Sequence, residues 1–420
     1  MSRPIRLTLV FVILLAALPV LPAVAQGLGT CTDGTQQSGA VYRICMPASV
    51  PWNNDLVIYA HGYVPNLGQP VAIPEDQLKL PDGTSIPDII NSLGYAFATT
   101  SYSTNGLAVL QGMADAADLA NLFKGLHTGT RHVYLVGASE GGLVTTLAVE
   151  RFPTVFSGGL ATCGPVGDFR KQINYWGDFR VVFDYFFPYP TEVFPRWTQS
   201  NITIPTGVMA NWPALSVQIA NDVISKPHAT EQLLRVMSAP VDPTNSATVT
   251  ETVLGVLWYN VFATNDGMSK DKLGGNPFDN QQRWYFGSDN DLKLNSRARG
   301  VARFTADPVA IKNMAAYQTS GRLSVPLVTI HTTGDPIVPY WHEPLYRLKT
   351  VSSGNTLLYS NIPILRYGHC NFKASEVLTA FALLVLKVTG QELTNAQRAL
   401  PDASAQAEFL RLAKEHGALH

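Results

Sequence analysis

Short apolar stretches rich in β-branched and aromatic residues recur along the chain, and segments of helical periodicity lie between them. Such stretches predict buried strands, and the segments between them predict crossover helices. The alternation indicates an α/β fold with a mostly parallel central sheet flanked by helices. The predicted strands are 55–60, 95–100, 132–136, 157–162, 326–331 and 356–359, and the predicted helices are 113–126, 142–151 and 377–388.

The segment 164–303 interrupts this alternation. It is rich in aromatic residues, prolines and amide side chains, and its first part is crowded with aromatic rings. A loop of this length without structure of its own is improbable in a compact protein. We therefore interpret 164–303 as a cap inserted into an α/β core that comprises 26–163 and 304–420.

The N-terminus has the composition of an export signal. Arg3 and Arg6 precede an apolar run over 7–24, and the small-x-small pattern at 23–25 suits a signal peptidase. The alternative is an uncleaved membrane anchor, but two prolines in the run and the small residues after it favour cleavage. Residues 1–25 are thus a predicted signal peptide, which implies a secreted or periplasmic protein.

Charge and composition narrow the classes of partner. The formal net charge is −1 and 15% of the residues are charged, without the basic stripe that nucleic-acid binding requires. After the signal peptide no apolar stretch is long enough to span a bilayer, so stable membrane insertion is not expected. The chain has no zinc-protease motif and no convincing cysteine–histidine cluster, so we expect neither a metal nor another cofactor.

The chain has four cysteines, which in an exported protein suggest two disulfides. Cys31 and Cys45 flank a polar, glycine-containing stretch that suits a hairpin, so they form a natural pair. Cys163 and Cys370 are far apart in the sequence, and they could form a second disulfide or remain as buried thiols. Four cysteines permit three connectivities, so spacing leaves this choice open.

The most informative motif reads Gly-Ala-Ser-Glu-Gly-Gly and begins at Gly137. It follows a predicted strand and opens a predicted helix, which is the setting of a nucleophile elbow. Such a turn exposes the serine hydroxyl at the top of the sheet, near a helix N-terminus that favours negative charge. Ser139 is therefore the predicted nucleophile, and the alternative is a glycine-rich turn with an idle serine.

A serine hydroxyl needs a base, and the base needs an acid that fixes its tautomer. His369 follows the last predicted strand, and a glycine before it suits a tight loop. Asp335 directly follows another predicted strand, although its Gly-Asp-Pro sequence is also an ordinary turn signal. The chain order Ser139, Asp335, His369 is the order of an α/β-hydrolase triad.

An oxyanion intermediate requires N–H donors next to the nucleophile. One predicted donor is the backbone N–H of Glu140, which follows the serine. The other is the backbone N–H of Tyr63, in the His-Gly-Tyr loop after the strand 55–60.

Together, these motifs resemble the α/β-hydrolase superfamily, which implies an α/β-hydrolase fold and a serine hydrolase. The His369-Cys370 pair and the doubled glycine after the elbow are also similar to the tannase and feruloyl esterase group. Members of that group carry a cysteine directly before the serine, bridged to the one after the histidine, whereas this chain has Ala138 there. The resemblance therefore implies Cys163 as the partner of Cys370.

The reaction that we expect is hydrolysis of a carboxylic ester through an acyl-enzyme. The substrate is a small-molecule or polymeric ester, and the aromatic cap suggests a hydrophobic or aromatic one. Aromatic rings in a cap also form its own core. The candidate substrate-binding residues are Tyr175, Trp176, Phe183 and Phe187.

Two other functions remain open at this point. A serine aminopeptidase of the prolyl or tripeptidyl type uses the same fold, and Asp178, Asp184 or Glu192 could supply the acidic pocket that it needs. The second alternative is a non-catalytic binding protein on a hydrolase scaffold. Competent residues at all three triad positions argue against it.

Overall fold

In the computed structural model, the described residues are 29–188 and 206–420. The predicted signal peptide, 1–25, lies outside them, and so do residues 189–205 of the predicted cap.

One eight-stranded sheet forms the centre of the molecule, with the strand order β1-β2-β4-β3-β5-β6-β7-β8. The first two strands form an antiparallel hairpin that joins β4, and all pairings from β4 to β8 are parallel. This strand order, with an antiparallel second strand, is that of the α/β-hydrolase fold. The strands are β1 Gly29–Thr35, β2 Val41–Pro47, β3 Asp55–Ala60, β4 Ala96–Thr100, β5 His132–Ala138, β6 Gly158–Thr162, β7 Leu327–Gly334 and β8 Tyr359–Tyr367.

Helices cover both faces of the sheet, and the chain segment between β6 and β7 contains additional helices. The α-helices are α1 Ile86–Ser92, α2 Val109–Leu126, α3 Glu140–Arg151, α4 Phe169–Phe186, α5 Thr206–Ala210, α6 Trp212–Ser225, α7 Pro227–Met237, α8 Ala247–Tyr259, α9 Asn265–Gly267, α10 Asp291–Leu294, α11 Pro308–Met314, α12 His342–Ser352, α13 Ala374–Thr389 and α14 Ala403–Glu415. None of the helices in the described residues is both long and apolar enough to cross a membrane.

The core has two layers because the central strands are buried on both faces, as parallel strands with crossover helices must be. Leu56 and Ile58 of β3 belong to the apolar cluster that includes α2 and α3. Val57 and Tyr59 point to the opposite face and pack in the cluster that includes α13. The end of β5 therefore emerges between two well-packed layers, which hold the following turn in place.

The prediction for the last strand was wrong. Residues Thr356–Leu358 form a short 3₁₀ helix, and the strand runs from Tyr359 to Tyr367. The sequence did not indicate this strand, because it contains Asn361 and Pro363 and both residue types are rare in strands. A proline is tolerated there because β8 is an edge strand and pairs with β7 alone.

Between β6 and β7, the described residues contain helices α4 to α11 and no strand. This insertion spans the predicted cap 164–303 and continues through α11. Its irregular stretches are tied down by asparagine side chains, such as Asn280, which bonds the backbone of Phe304 and Ala302. The amide side chains of this insertion thus stabilise its loops through hydrogen bonds to the backbone.

Both predicted disulfides are present. Cys31 and Cys45 lie opposite each other in the β1–β2 pair and staple this hairpin. Cys163, directly after β6, is bonded to Cys370, directly after His369. The second disulfide joins the ends of two chain segments that are 207 residues apart.

Candidate active site

Ser139 lies in the sharp turn between β5 and α3. Its φ of 56° and ψ of −117° place it in a region that residues with a side chain rarely adopt. Glycines permit the turn: a Cβ on Gly137 would stand 2.0 Å from the Gly141 carbonyl oxygen, and one on Gly141 would stand 2.0 Å from that of Ala60. The serine N–H is held by the Thr162 carbonyl at 2.9 Å. The close packing at the two glycines and the hydrogen bond from the Ser139 N–H therefore hold the strained turn in place.

The structure brings Ser139, His369 and Asp335 together in one hydrogen-bonded chain. The Asp335 carboxylate can only accept, so His369 Nδ1–H donates to its Oδ2 at 2.7 Å. This leaves His369 Nε2 free to accept the Ser139 hydroxyl at 2.8 Å. The backbone N–H groups of Ile337 and Val338 donate to Asp335 Oδ1 at 2.8 and 2.9 Å. The acid thus fixes the tautomer in which the imidazole can take the serine proton.

A buried histidine, His331, lies behind this acid and was not anticipated from the sequence. Its Nε2 is 2.8 Å from the Val338 carbonyl oxygen, which can only accept, and 3.4 Å from Asp335 Oδ2. Its Nδ1 is 2.9 Å from Glu343 Oε1. With acceptors facing both ring nitrogens, the geometry favours an imidazolium between two carboxylates.

The electrostatics agree with that assignment. Burial lowers the pKa of His331, but hydrogen bonds to Asp335 and Glu343 outweigh it and raise this pKa to about 10. Burial also raises the pKa of Asp335, yet the electrostatic interactions and hydrogen bonds with His369 and His331 hold it well below its usual range. Hydroxyls of Thr329 and Tyr359 satisfy the other oxygen of Glu343 at 2.6 and 2.7 Å. The network keeps Asp335 ionised although it is fully buried.

The loop that carries His369 is anchored on both sides. Cys370 ties it to the end of β6 through the disulfide, and the Gly368 carbonyl accepts from the Thr332 hydroxyl at 2.6 Å. The imidazole is therefore held by covalent and hydrogen bonds to two neighbouring strands.

The two predicted oxyanion donors flank the serine. Among the hydrogen bonds of the described residues, the amides of Tyr63 and Glu140 donate none, whereas the Gly62 amide donates to Gln77 Oε1 at 2.7 Å. Gln77 Nε2 donates in turn to the Tyr63 carbonyl at 3.3 Å. Gln77 was not singled out in the sequence, and it fixes the loop so that the Tyr63 amide stays available.

The Glu140 side chain is buried beside the nucleophile. One carboxylate oxygen accepts from the Ala108 N–H at 2.6 Å, and the other has no partner within the described residues. Burial raises the pKa of Glu140 to about 8. The sequence predicted a role for the Glu140 backbone alone, and the structure adds a side-chain carboxyl that is largely protonated at neutral pH.

Three cavities are lined by Ser139, by His369 or by both. The first, which we call the apolar cavity, has a volume of about 430 Å³ and extends from Ser139 between the sheet and helices α1 and α13. The second is a small cavity of about 40 Å³ on the side of Glu140 and Trp176. The third, the polar cavity, has about 400 Å³ and lies on the outer side of the His369 loop. The apolar and the small cavity thus adjoin Ser139, and the apolar and the polar cavity adjoin His369.

Of the four predicted substrate-binding residues, Tyr175, Trp176 and Phe183 lie on α4 and Phe187 directly follows it, and their surroundings differ. Trp176 lines the small cavity together with Ser139. Tyr175 and Trp176 donate to the carbonyls of Pro336 and Ile337 at 2.8 and 3.0 Å, so they brace the loop after Asp335. Tyr175, Phe183 and Phe187 require a correction, because all three are buried and line none of the cavities at Ser139. Phe183 and Phe187 stack on each other. Their spacing of four residues places both on the buried face of the helix, so they form core.

The acidic residues that an aminopeptidase would need are engaged elsewhere. Asp178 pairs with Arg283 and accepts from the Tyr285 hydroxyl at 2.6 Å. Asp184 pairs with Arg180 at 3.0 Å. Neither lines a cavity at Ser139, and Glu192 lies outside the described residues. The described part of the chain therefore offers none of the predicted acids to a peptide amine.

Comparisons with known proteins find distant structural relatives. No family model and no curated protein sequence matches the chain. Among solved structures, it is similar to feruloyl esterase B from Aspergillus oryzae, with 15% identity over 86% of this chain and 80% of that chain and a TM-score of 0.43. It is similar to Candida antarctica lipase A in its closed state, with 13% identity over 94% of this chain and 87% of that chain and a TM-score of 0.43.

A third similar structure is the acylaminoacyl peptidase of Pyrococcus horikoshii, with 11% identity, a TM-score of 0.42 and coverage of 89% of this chain and 44% of that chain. The chain therefore spans less than half the length of the acylaminoacyl peptidases that it matches. These likenesses are too distant to bear on activity. The fold assignment follows from the strand order of this chain.

Proposed function

We propose that this chain, which has the α/β-hydrolase fold, is a serine hydrolase that cleaves carboxylic esters of hydrophobic acids. The observation that carries the proposal is the hydrogen-bonded chain from the strained Ser139 through His369 to the buried Asp335. A serine hydroxyl held against the free nitrogen of an acid-bound imidazole is an activated nucleophile.

In the proposed reaction, Ser139 Oγ attacks the ester carbonyl while its proton passes to His369 Nε2. Asp335 stabilises the imidazolium that forms. The backbone amides of Tyr63 and Glu140 donate to the oxyanion of the tetrahedral intermediate, where each such donor contributes about 3 kcal/mol. The alcohol leaves with the proton from His369, and water activated by His369 then releases the acid. None of these steps uses a metal or an organic cofactor.

Two observations support a hydrophobic ester over a peptide. An apolar cavity of about 430 Å³ begins at Ser139, so a water-insoluble group can be buried next to the reacting carbonyl. Two of the acids that were predicted to bind a peptide amine, Asp178 and Asp184, are engaged in internal pairs. The disulfides support function in an oxidising compartment, in agreement with the predicted signal peptide.

The test is hydrolysis of p-nitrophenyl butyrate by the parent protein and by Ser139→Ala. We expect activity in the parent and a loss of at least about a thousandfold in the variant, because the nucleophile and its base act as a unit. Equal activity in both would exclude Ser139. Hydrolysis of aminoacyl anilides without hydrolysis of esters would favour the aminopeptidase, and no reaction with either substrate would favour a binding protein.

A further inference from the structure

The apolar cavity is built from the interior of the fold rather than from the inserted helices. Its walls include alternate residues of three central strands and residues of α1 and α13, among them Val57, Val136, Leu160, Ile89, Val377 and Leu378. These six side chains are aliphatic, aromatic rings such as Phe372 and Phe381 also belong to the apolar part of the walls, and Asp76, Gln77 and Lys79 line the cavity as well. Because apolar side chains predominate, the cavity favours a hydrocarbon group over a polar ligand.

The cavity starts at the nucleophile. Ser139 and His369 belong to its walls, and Gly62 stands at the same end, where a Cβ would approach the serine Cβ to 3.4 Å. A chain attached to the carbonyl that Ser139 attacks can therefore continue directly into the aliphatic space.

The other two cavities suit the rest of the reaction. The small cavity has about 40 Å³, which is enough to hold a water molecule. The polar cavity is lined by charged and amide residues such as Glu251, Arg366 and Asn371, and by His369 itself. His369 gives its proton to the leaving alcohol and later activates water, and the polar cavity gives both of them access to its imidazole.

We propose that the apolar cavity binds the acyl group of the substrate, and that the preferred acyl group is a long aliphatic chain. This inference rests on the proposed function. An apolar cavity of about 150 Å³ holds benzene, and this one is about three times larger. It has room for a chain on the order of ten carbons. Each methylene group that enters an apolar site contributes about fourfold in binding.

The experiment uses two ester series. In the first, p-nitrophenyl esters run from acetate through butyrate and octanoate to dodecanoate. In the second, acetate esters run from ethyl to dodecyl, so the alcohol alone lengthens. The variants Val377→Trp and Ile89→Trp fill the cavity from two different helices, and either serves if the other fails to fold. Leu357→Trp is the matched control, since Leu357 is 92% exposed and lies outside the cavity.

We expect kcat/KM of the parent to rise by about fourfold per methylene group between butyrate and octanoate, and to change little along the alcohol series. In the filled variants the octanoate-to-acetate ratio falls by at least tenfold, while Leu357→Trp keeps the ratio of the parent. A flat acyl series, a preference for benzoate over octanoate, or a response confined to the alcohol series would overturn the inference. Activity that survives in Ser139→Ala would instead refute the proposed function.

Discussion

Replacing Glu343 with glutamine removes one of the two carboxylates that hold the proton on His331, and it should destabilise the protein in a pH-dependent way. Asp335 and Glu343 together raise the pKa of His331 from 6.5 to about 10 in the folded chain, a shift that corresponds to about 5 kcal/mol for the pair of carboxylates. Breaking a buried ion pair typically costs about 3–5 kcal/mol, so we expect a loss of this order from Glu343→Gln. For a chain of 420 residues, this loss lowers the melting temperature by roughly 3–6 °C.

The pH dependence follows from the sign of the shift. Because the folded pKa lies above the unfolded one, the stabilisation is fully present below about pH 6.5 and disappears as the pH rises through about 10. The melting temperatures of the parent and of Glu343→Gln should therefore differ most at pH 6 and converge towards pH 10.

The assay is thermal unfolding, followed by circular dichroism across this pH range. Asp33→Asn is the matched control, because Asp33 forms an exposed pair with Arg43 that contributes less than about 1 kcal/mol. Equal melting temperatures of the parent and Glu343→Gln at pH 6 would refute the reasoning. They would mean that Glu343 carries the proton and that His331 is neutral.

Three further predictions concern the surroundings of Ser139. Replacing both Cys163 and Cys370 with serine should lower the free energy of unfolding by about 2–5 kcal/mol. This loss should exceed that of the Cys31/Cys45 double variant, because the Cys163–Cys370 disulfide closes a loop of 207 residues and the Cys31–Cys45 disulfide closes one of 14. Equal losses of the two double variants in denaturant titrations would contradict this prediction. Glu140→Gln should be as stable as the parent near pH 4.5 and more stable than the parent above about pH 8. The reason is that the pKa of Glu140 is raised to about 8 in the folded chain, so ionisation of this carboxyl destabilises the fold of the parent as the pH rises from 4.5 to 8. A variant that is less stable than the parent at pH 9 would disprove this prediction. Gln77→Ala should lower kcat by about tenfold and change KM by a smaller factor, because it loosens the loop that presents the Tyr63 amide to the transition state. An effect on KM alone would contradict this role of Gln77.

The nucleophile turn could be located from the sequence because its chemistry is local. Gly137 and Gly141 are needed where backbones approach to contact distance, and the flanking strand and helix have strong patterns of their own. Asp335 and His369 followed from chain order and from their places after strands. Each of these signals sits within a few residues, so no knowledge of packing was required.

What the sequence concealed depends on long-range packing. The acid network joins His331 in β7 to Glu343 in α12, and a histidine in an apolar strand gives no sign of its partners. The apolar cavity is lined by residues that each look like ordinary core, such as Val57 and Val377, and it exists because strands and two helices leave space between them. Phe183 and Phe187 were predicted to bind substrate but belong to the core. The sequence alone does not distinguish aromatic rings that line a cleft from those that fill a core.

The central claim, that Ser139 is an activated nucleophile, is tested most directly by labelling with an octyl fluorophosphonate and mass spectrometry. The account predicts one covalent adduct on the parent, located on the peptide that contains Ser139, and no adduct on Ser139→Ala. His369→Ala should react far more slowly, because the hydroxyl loses its base. An unlabelled parent, or an adduct that persists in Ser139→Ala, would contradict the account.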